Sequence, residues 1–107
     1  MPGTATPTLT LSFVAKLVAK PEMAGELAGL LHQAASMAEQ ETGTVVWFAL
    51  RTDDVTFWIV DAFASEDARQ AHITGPIAAA LMANADRLLA APPTILPADV
   101  LASKVPA

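Results

Sequence analysis

Cysteine and tyrosine are both absent from this chain of 107 residues. Without a thiol there is no disulfide, no thiolate nucleophile and no iron–sulfur ligation. Without tyrosine, no phenolic hydroxyl is at hand to hold a ligand. Basic residues are few and scattered: Lys16, Lys20, Arg51, Arg69, Arg87 and Lys104 stand against 11 acids, for a net charge of −5. They form no stripe, which argues against a nucleic-acid or anionic-membrane partner. No apolar run is long enough to span a bilayer. The opening MPGTATPT has no basic region followed by an apolar stretch, so no signal peptide is expected there. Residues 1–8 are expected to be a flexible tail, and the default location is cytoplasmic. There is no Gly-x-Gly-x-x-Gly, Walker or nucleophile-elbow sequence. His32 and His72 lie far apart, and neither a His-x-x-x-His nor a clustered carboxylate pattern occurs, so no metal is expected.

Apolar residues, by contrast, make up 53% of the chain, and two central segments concentrate them. In Gly43 to Leu50 and Val55 to Phe63 both faces of a strand would be apolar. Val45, Trp47 and Ala49 point one way, and Val46, Phe48 and Leu50 the other. A half-buried strand alternates with polar residues; a sheet greasy on both sides needs two covers. The chain has helix enough for one, which predicts a homodimer whose second copy supplies the other.

The rest of the chain supports one domain over residues 9–105. Residues 9–18 read as a first strand. From Glu22 to Glu41 the spacing of Met23, Leu27, Leu30, Leu31, Ala34 and Ala38 predicts a helix, with Pro21 in its first turn. Gly43 is placed to stop it in a left-handed conformation. Residues 51–54 are short and polar, as a hairpin turn requires. Ser65 followed by Glu66 and Asp67 predicts the start of a short helix ending near Thr74 and Gly75. Pro76 opens a further helix that buries Ile77, Leu81, Ala85 and Leu88 and stops at Pro92 and Pro93. The last segment, from Thr94, is a strand holding Pro97, hence an edge or bent strand. The order β-α-β-β-α-β is the α+β, ferredoxin-like arrangement, with helices on one face of an antiparallel sheet.

Taken together, these segments resemble the antibiotic biosynthesis monooxygenase domain of the dimeric α/β-barrel superfamily, from about Leu11 to Val100. FVAKLVAKPEMAGEL resembles that family's first strand, Lys-Pro turn and long helix. ETGTVVWFAL resembles its helix-ending glycine and second strand, with Trp47 where tyrosine is usual. FWIVDAFASEDARQAHI resembles its third strand and short helix; Asp61-Ala62-Phe63 stands for the usual Glu-x-Trp, and His72 for the recurrent helix histidine. The resemblance implies a dimeric barrel. It also implies oxidation of a small phenolic, quinol-like or polycyclic aromatic compound by molecular oxygen, with no metal and no organic cofactor. A related haem-degrading branch uses an Asn on the first strand, a Trp on the short helix and a His on the last helix; none is present here. A non-catalytic small-molecule-binding or stress-response dimer, or an isomerase or decarboxylase, are the alternatives.

Under that resemblance His72 is the candidate catalytic residue. A neutral imidazole could take a proton from a phenol, and the resulting electron-rich anion can pass an electron to oxygen directly. The plainer alternative is a partly buried histidine with its ring satisfied by backbone groups. Trp47, Trp58 and Phe63 are candidate walls of a substrate pocket, or simply core and dimer interface. Ser12 is a candidate ligand donor from the first strand. Asp61, an acid in an apolar strand, needs a partner and could orient His72 or hold Arg69.

Overall fold

The computed structural model describes residues 8–106, so the expected tail lies, but for Thr8, outside the described residues. The elements run β1 (Leu11–Val18), α1 (Ala24–Ala38), β2 (Thr44–Arg51), β3 (Thr56–Phe63), α2 (Glu66–Ile73), α3 (Pro76–Leu88) and β4 (Thr94–Asp99). The sheet order is β2-β3-β1-β4 and every neighbouring pair is antiparallel. This is the expected ferredoxin-like topology.

Local chemistry sets most of the boundaries. Pro21 opens a single 3-10 turn, Pro21–Met23, that leads into α1. Ser65 caps α2, its hydroxyl accepting the Ala68 N–H at 3.1 Å. Pro76 starts α3 at a position whose N–H would be unpaired anyway. In the β2–β3 turn, Asp53 Oδ1 accepts the N–H groups of Val55 (3.0 Å) and Thr56 (2.8 Å). Pro97 lies on β4, an edge strand as expected.

Three expectations need correction. The helix predicted to run to Glu41 ends at Ala38, where the chain tightens into shorter bonds from Gln40 N to Met37 O and from Glu41 N to Ala38 O. The last helix stops at Leu88, before the Pro pair, because the end of β1 captures it: Lys20 N donates to Leu88 O, and Ala90 N to Val18 O. Gly43 is not left-handed; no described residue has a positive φ. Glycine is needed there for space, since a Cβ would lie 2.7 Å from Ala68 Cβ on α2.

One face of the sheet carries the helices. Ala15 and Leu17 of β1 and Phe57 and Ile59 of β3 pack with Leu27 and Leu31 of α1 and Leu81 and Leu88 of α3. Each fully buried large side chain contributes about 1.5–3 kcal/mol of transfer free energy. By alternation, Val46, Phe48 and Leu50 of β2, Trp58 and Val60 of β3 and Leu96 of β4 face the other way. Among the described residues nothing covers that side: Phe48 is 57% exposed and Leu96 56%. Beyond β4 the chain runs on without regular structure, Leu101 stands clear of the body, and the molecule measures 53 × 24 × 22 Å. No helix among the described residues is long and apolar enough to cross a membrane.

The close approach at Gly43 gives a direct test. Gly43→Ala should destabilise the fold by about 1–3 kcal/mol through overpacking. Ala68→Gly in the same chain should recover part of that loss, despite its own helix-propensity cost of about 1 kcal/mol. Denaturant midpoints of the four chains check it; strictly additive effects would show that the two positions do not meet.

Candidate functional site

Five segments of chain meet around His72. Its ring lies on the last turn of α2, buried at 7% exposure. Nδ1 lies 2.5 Å from Glu41 Oε1, and Nε2 lies 3.2 Å from Asp61 Oδ2. Asp61 is 2% exposed. Its other oxygen accepts the Phe13 N–H at 2.7 Å. That bond fills a break in the β1–β3 ladder, whose register runs from Val18↔Thr56 to Val14↔Val60 and resumes only at Leu11↔Phe63. Glu41 Oε1 also accepts the Thr44 hydroxyl at 2.7 Å. The early end of α1 is what frees Glu41 to turn toward α2.

A buried charge is tolerated only when it is paired and hydrogen-bonded. Here two carboxylates bracket one imidazole. Burial pushes the ring toward its neutral form, but hydrogen bonds to Asp61 and then Glu41, with the negative charges of both, outweigh it and raise the His72 pKa above the ordinary histidine value of 6.5. When protonated, the ring donates from both nitrogens, one to each carboxylate. The carboxylates approach opposite sides of the ring and do not converge. Among the described residues no group of three or more His, Cys, Asp or Glu side chains could hold a metal ion.

Asp61 and His72 form one wall of a cavity of about 180 Å³ between the sheet and the helices. Its other walls are apolar: Phe13, Ala15 and Ile59 from the sheet, Ile73 at the end of α2, Ile77, Leu81 and Met82 from α3, and Ile95 of β4 among them. A buried apolar space with one polar end is the usual form of a small-molecule site. Because Met82 is 57% exposed, it stands at the cavity's rim.

The other expected site residues divide. Phe63 is fully buried and backs the His72 ring, 5.2 Å between centroids. It supports the imidazole from outside the cavity wall. Trp47 faces the helices but packs between the main core and the Ala34, Ala38 and Ile77 cluster. It borders a separate groove of about 360 Å³ between α1 and β2, beside His32, Phe48 and Arg51. Trp58 and Ser12 lie on the opposite face of the sheet. Trp58 sits there beneath Lys16, whose Nζ is 5.6 Å from the ring centroid. The Ser12 hydroxyl donates to the neighbouring Phe13 carbonyl. Neither reaches the cavity. Arg69 does not hold Asp61; it pairs with Glu66 at 2.7 Å and lies over Phe13. Glu41, absent from the sequence-derived candidates, is the residue they missed.

No protein-family model matches the sequence, and no curated protein does. Among solved structures, the NE2512 protein of unknown function from Nitrosomonas europaea is 47% identical, with a TM-score of 0.92 over 95% of this chain and 99% of that one. Rv0793 from Mycobacterium tuberculosis is 18% identical, with a TM-score of 0.79 over 90% of this chain and 99% of that one. A structure described as an antibiotic biosynthesis monooxygenase is 16% identical, with a TM-score of 0.75 over 86% of this chain and 99% of that one.

The raised His72 pKa fixes the sign of a pH effect. The folded chain holds this proton more tightly than the unfolded chain does. Its stabilisation is complete below the ordinary value of 6.5 and is lost as pH rises through the higher folded value. The stability difference between the native chain and His72→Gln should therefore be largest near pH ~6 and shrink as pH is raised. Urea midpoints across that range measure it, and a difference that grows with pH would contradict the assignment.

Proposed function

This chain belongs to the family of the NE2512 protein and has the antibiotic biosynthesis monooxygenase fold; from that premise we propose that it is a cytoplasmic homodimer that oxygenates a small phenol or hydroquinone with molecular oxygen and without a cofactor. The observation that carries this reading is the apolar cavity in which, among the described residues, Asp61 and His72 are the polar side chains of the lining. Its size selects among aromatics. An apolar cavity of roughly 150 Å³ takes a benzene ring, so this one suits a single substituted ring better than a polycyclic one.

The chemistry follows from the charges. Glu41, His72 and Asp61 together carry one net negative charge when the ring is protonated, which leaves room for a proton. A ring hydroxyl against Asp61 and His72 gives its proton to that chain of groups. The phenolate passes one electron to oxygen, and the aryloxyl radical and superoxide combine at a ring carbon as a peroxide. The peroxide takes up one proton; loss of the ring C–H proton and cleavage of the O–O bond then release water. One oxygen atom stays as a quinone carbonyl and the other leaves in the water, so no external reductant is needed. The apolar walls exclude water from the radical pair.

The exposed apolar side of the sheet supports the dimer. A second copy laid on Phe48, Leu50, Trp58 and Leu96 would cover what the helices leave bare. A binding-only dimer is the second reading, and one observation favours it: both nitrogens of His72 are already engaged.

An oxygen electrode with monocyclic phenols and hydroquinones tests the reaction. Native protein should consume oxygen well above a buffer blank, and His72→Ala and Asp61→Asn should each lose about 10²–10⁴-fold. Native protein no faster than His72→Ala and the blank would overturn the oxygenase; thermal stabilisation by the same compounds without turnover would establish the binding-only reading. Sedimentation tests the assembly: native chain should run as a dimer at micromolar concentration and the Phe48→Asp, Leu50→Asp double variant as a monomer. A folded native monomer would remove the dimer.

A further inference from the structure

Glu41 lies outside the cavity wall, yet its carboxylate is the shortest contact His72 makes. It is held from two sides. Thr44, at the start of β2, donates to the same Oε1 that takes His72 Nδ1, while Oε2 is buried without a hydrogen-bond partner among the described residues. Gly75 lies behind it: a Cβ there would come within 3.6 Å of Oε2, ordinary contact distance. The Thr44 hydroxyl and the imidazole thus share one oxygen of this carboxylate.

We propose that Glu41 is a positioning residue for His72: it fixes the imidazole by its Nδ1–H, aims Nε2–H at Asp61, and so makes the Asp61 carboxylate, not the imidazole, the proton-accepting atom at the cavity. The groups facing His72 support this. From β3 comes Asp61 and from the loop after α1 Glu41. The β1 and α3 residues that share the cavity with it are apolar. On its own helix Arg69 is turned away to Glu66 and the Ser12 carbonyl. Among the described residues no other charge pairs with the ring. With Nδ1 held by Glu41, the ring cannot flip its nitrogens without losing both bonds. With both ring nitrogens directed at carboxylates, a proton leaving a ligand at the cavity meets the Asp61 carboxylate as the acceptor. The assignment to the cavity rests on the ligand-site reading above; the control of His72 by Glu41 does not.

The test is a pH titration of imidazole nitrogen shifts in ligand-free protein. The chain has 2 histidines, and exposed His32 serves as the internal reference. Native His72 should carry protons on both nitrogens through neutral pH. In Glu41→Gln its titration midpoint should fall by about one pH unit or more, a tenfold or greater loss of proton affinity. Glu41→Asp, which keeps the charge on a shorter arm, should lie between the two. It supplies the same readout should Glu41→Gln fail to fold. An unmoved midpoint in whichever variant folds, or a neutral single tautomer in the native chain at neutral pH, overturns the proposal. If turnover is found, the pH–rate profile of Glu41→Gln should move with the His72 midpoint. A uniform loss at every pH, with the profile unmoved, would show that Glu41 does not act through His72.

Discussion

A histidine enclosed by two carboxylates, deep between a sheet and its helices, is the constraint on which the rest of this structure turns. Such a group is costly to bury, and only tight geometry offsets the cost. The geometry draws in the loop after α1 through Glu41, β2 through Thr44, α2 through His72, β3 through Asp61 and β1 through the Phe13 N–H. Several local features then make sense together. The first helix ends at Ala38, so that Glu41 can leave the helical path. Residue 43 has no side chain, so that β2 can begin against Ala68 of α2. The β1–β3 ladder gives up a pairing so that Asp61 can take a backbone donor.

The same arrangement divides the aromatic residues by role. Phe63 lies behind the imidazole and Phe13 in the cavity wall. Trp47 is locked into the core under α1, away from both. Trp58, Phe48 and Leu50 belong to the bare side of the sheet, where they offer apolar area and no chemistry. The candidate site and the bare apolar surface thus occupy opposite faces of one sheet. β3 joins them: its odd-numbered residues supply Phe57, Ile59, Asp61 and Phe63 to the helix side, and its even-numbered ones supply Trp58 and Val60 to the other.

Much of the architecture was legible in the residues themselves. Two strands apolar on both faces, Ser65 before two acids, Pro76 at a helix start and Pro97 in a terminal strand each have a local physical meaning that survives folding. His72 and Asp61 were legible as candidates because an ionisable group in an apolar segment demands a partner. What escaped depends on distance. Alternation shows that Trp47 and Phe48 oppose each other but not which of them meets a helix, so Trp58 and Ser12 were grouped with His72 although the sheet lies between them. Gly43 looked like a helix terminator, because its neighbour Ala68 is remote in sequence. Glu41 continued a helical pattern, and nothing local marks the three-residue-early stop that turns it toward His72. A polar residue at the end of a predicted helix, two residues before a glycine, was the only available signal.

The most direct measurement of the central ion cluster is a double-mutant cycle in folding free energy between Asp61 and His72, using Asp61→Asn, His72→Gln and the double variant near pH 6. If the buried imidazolium and the carboxylate hold each other in place, the effects will be non-additive, with a coupling of about 1–3 kcal/mol. Additive effects within about 0.5 kcal/mol would mean that the two groups are neighbours without being partners, and the account of both fold and site built on them would fail.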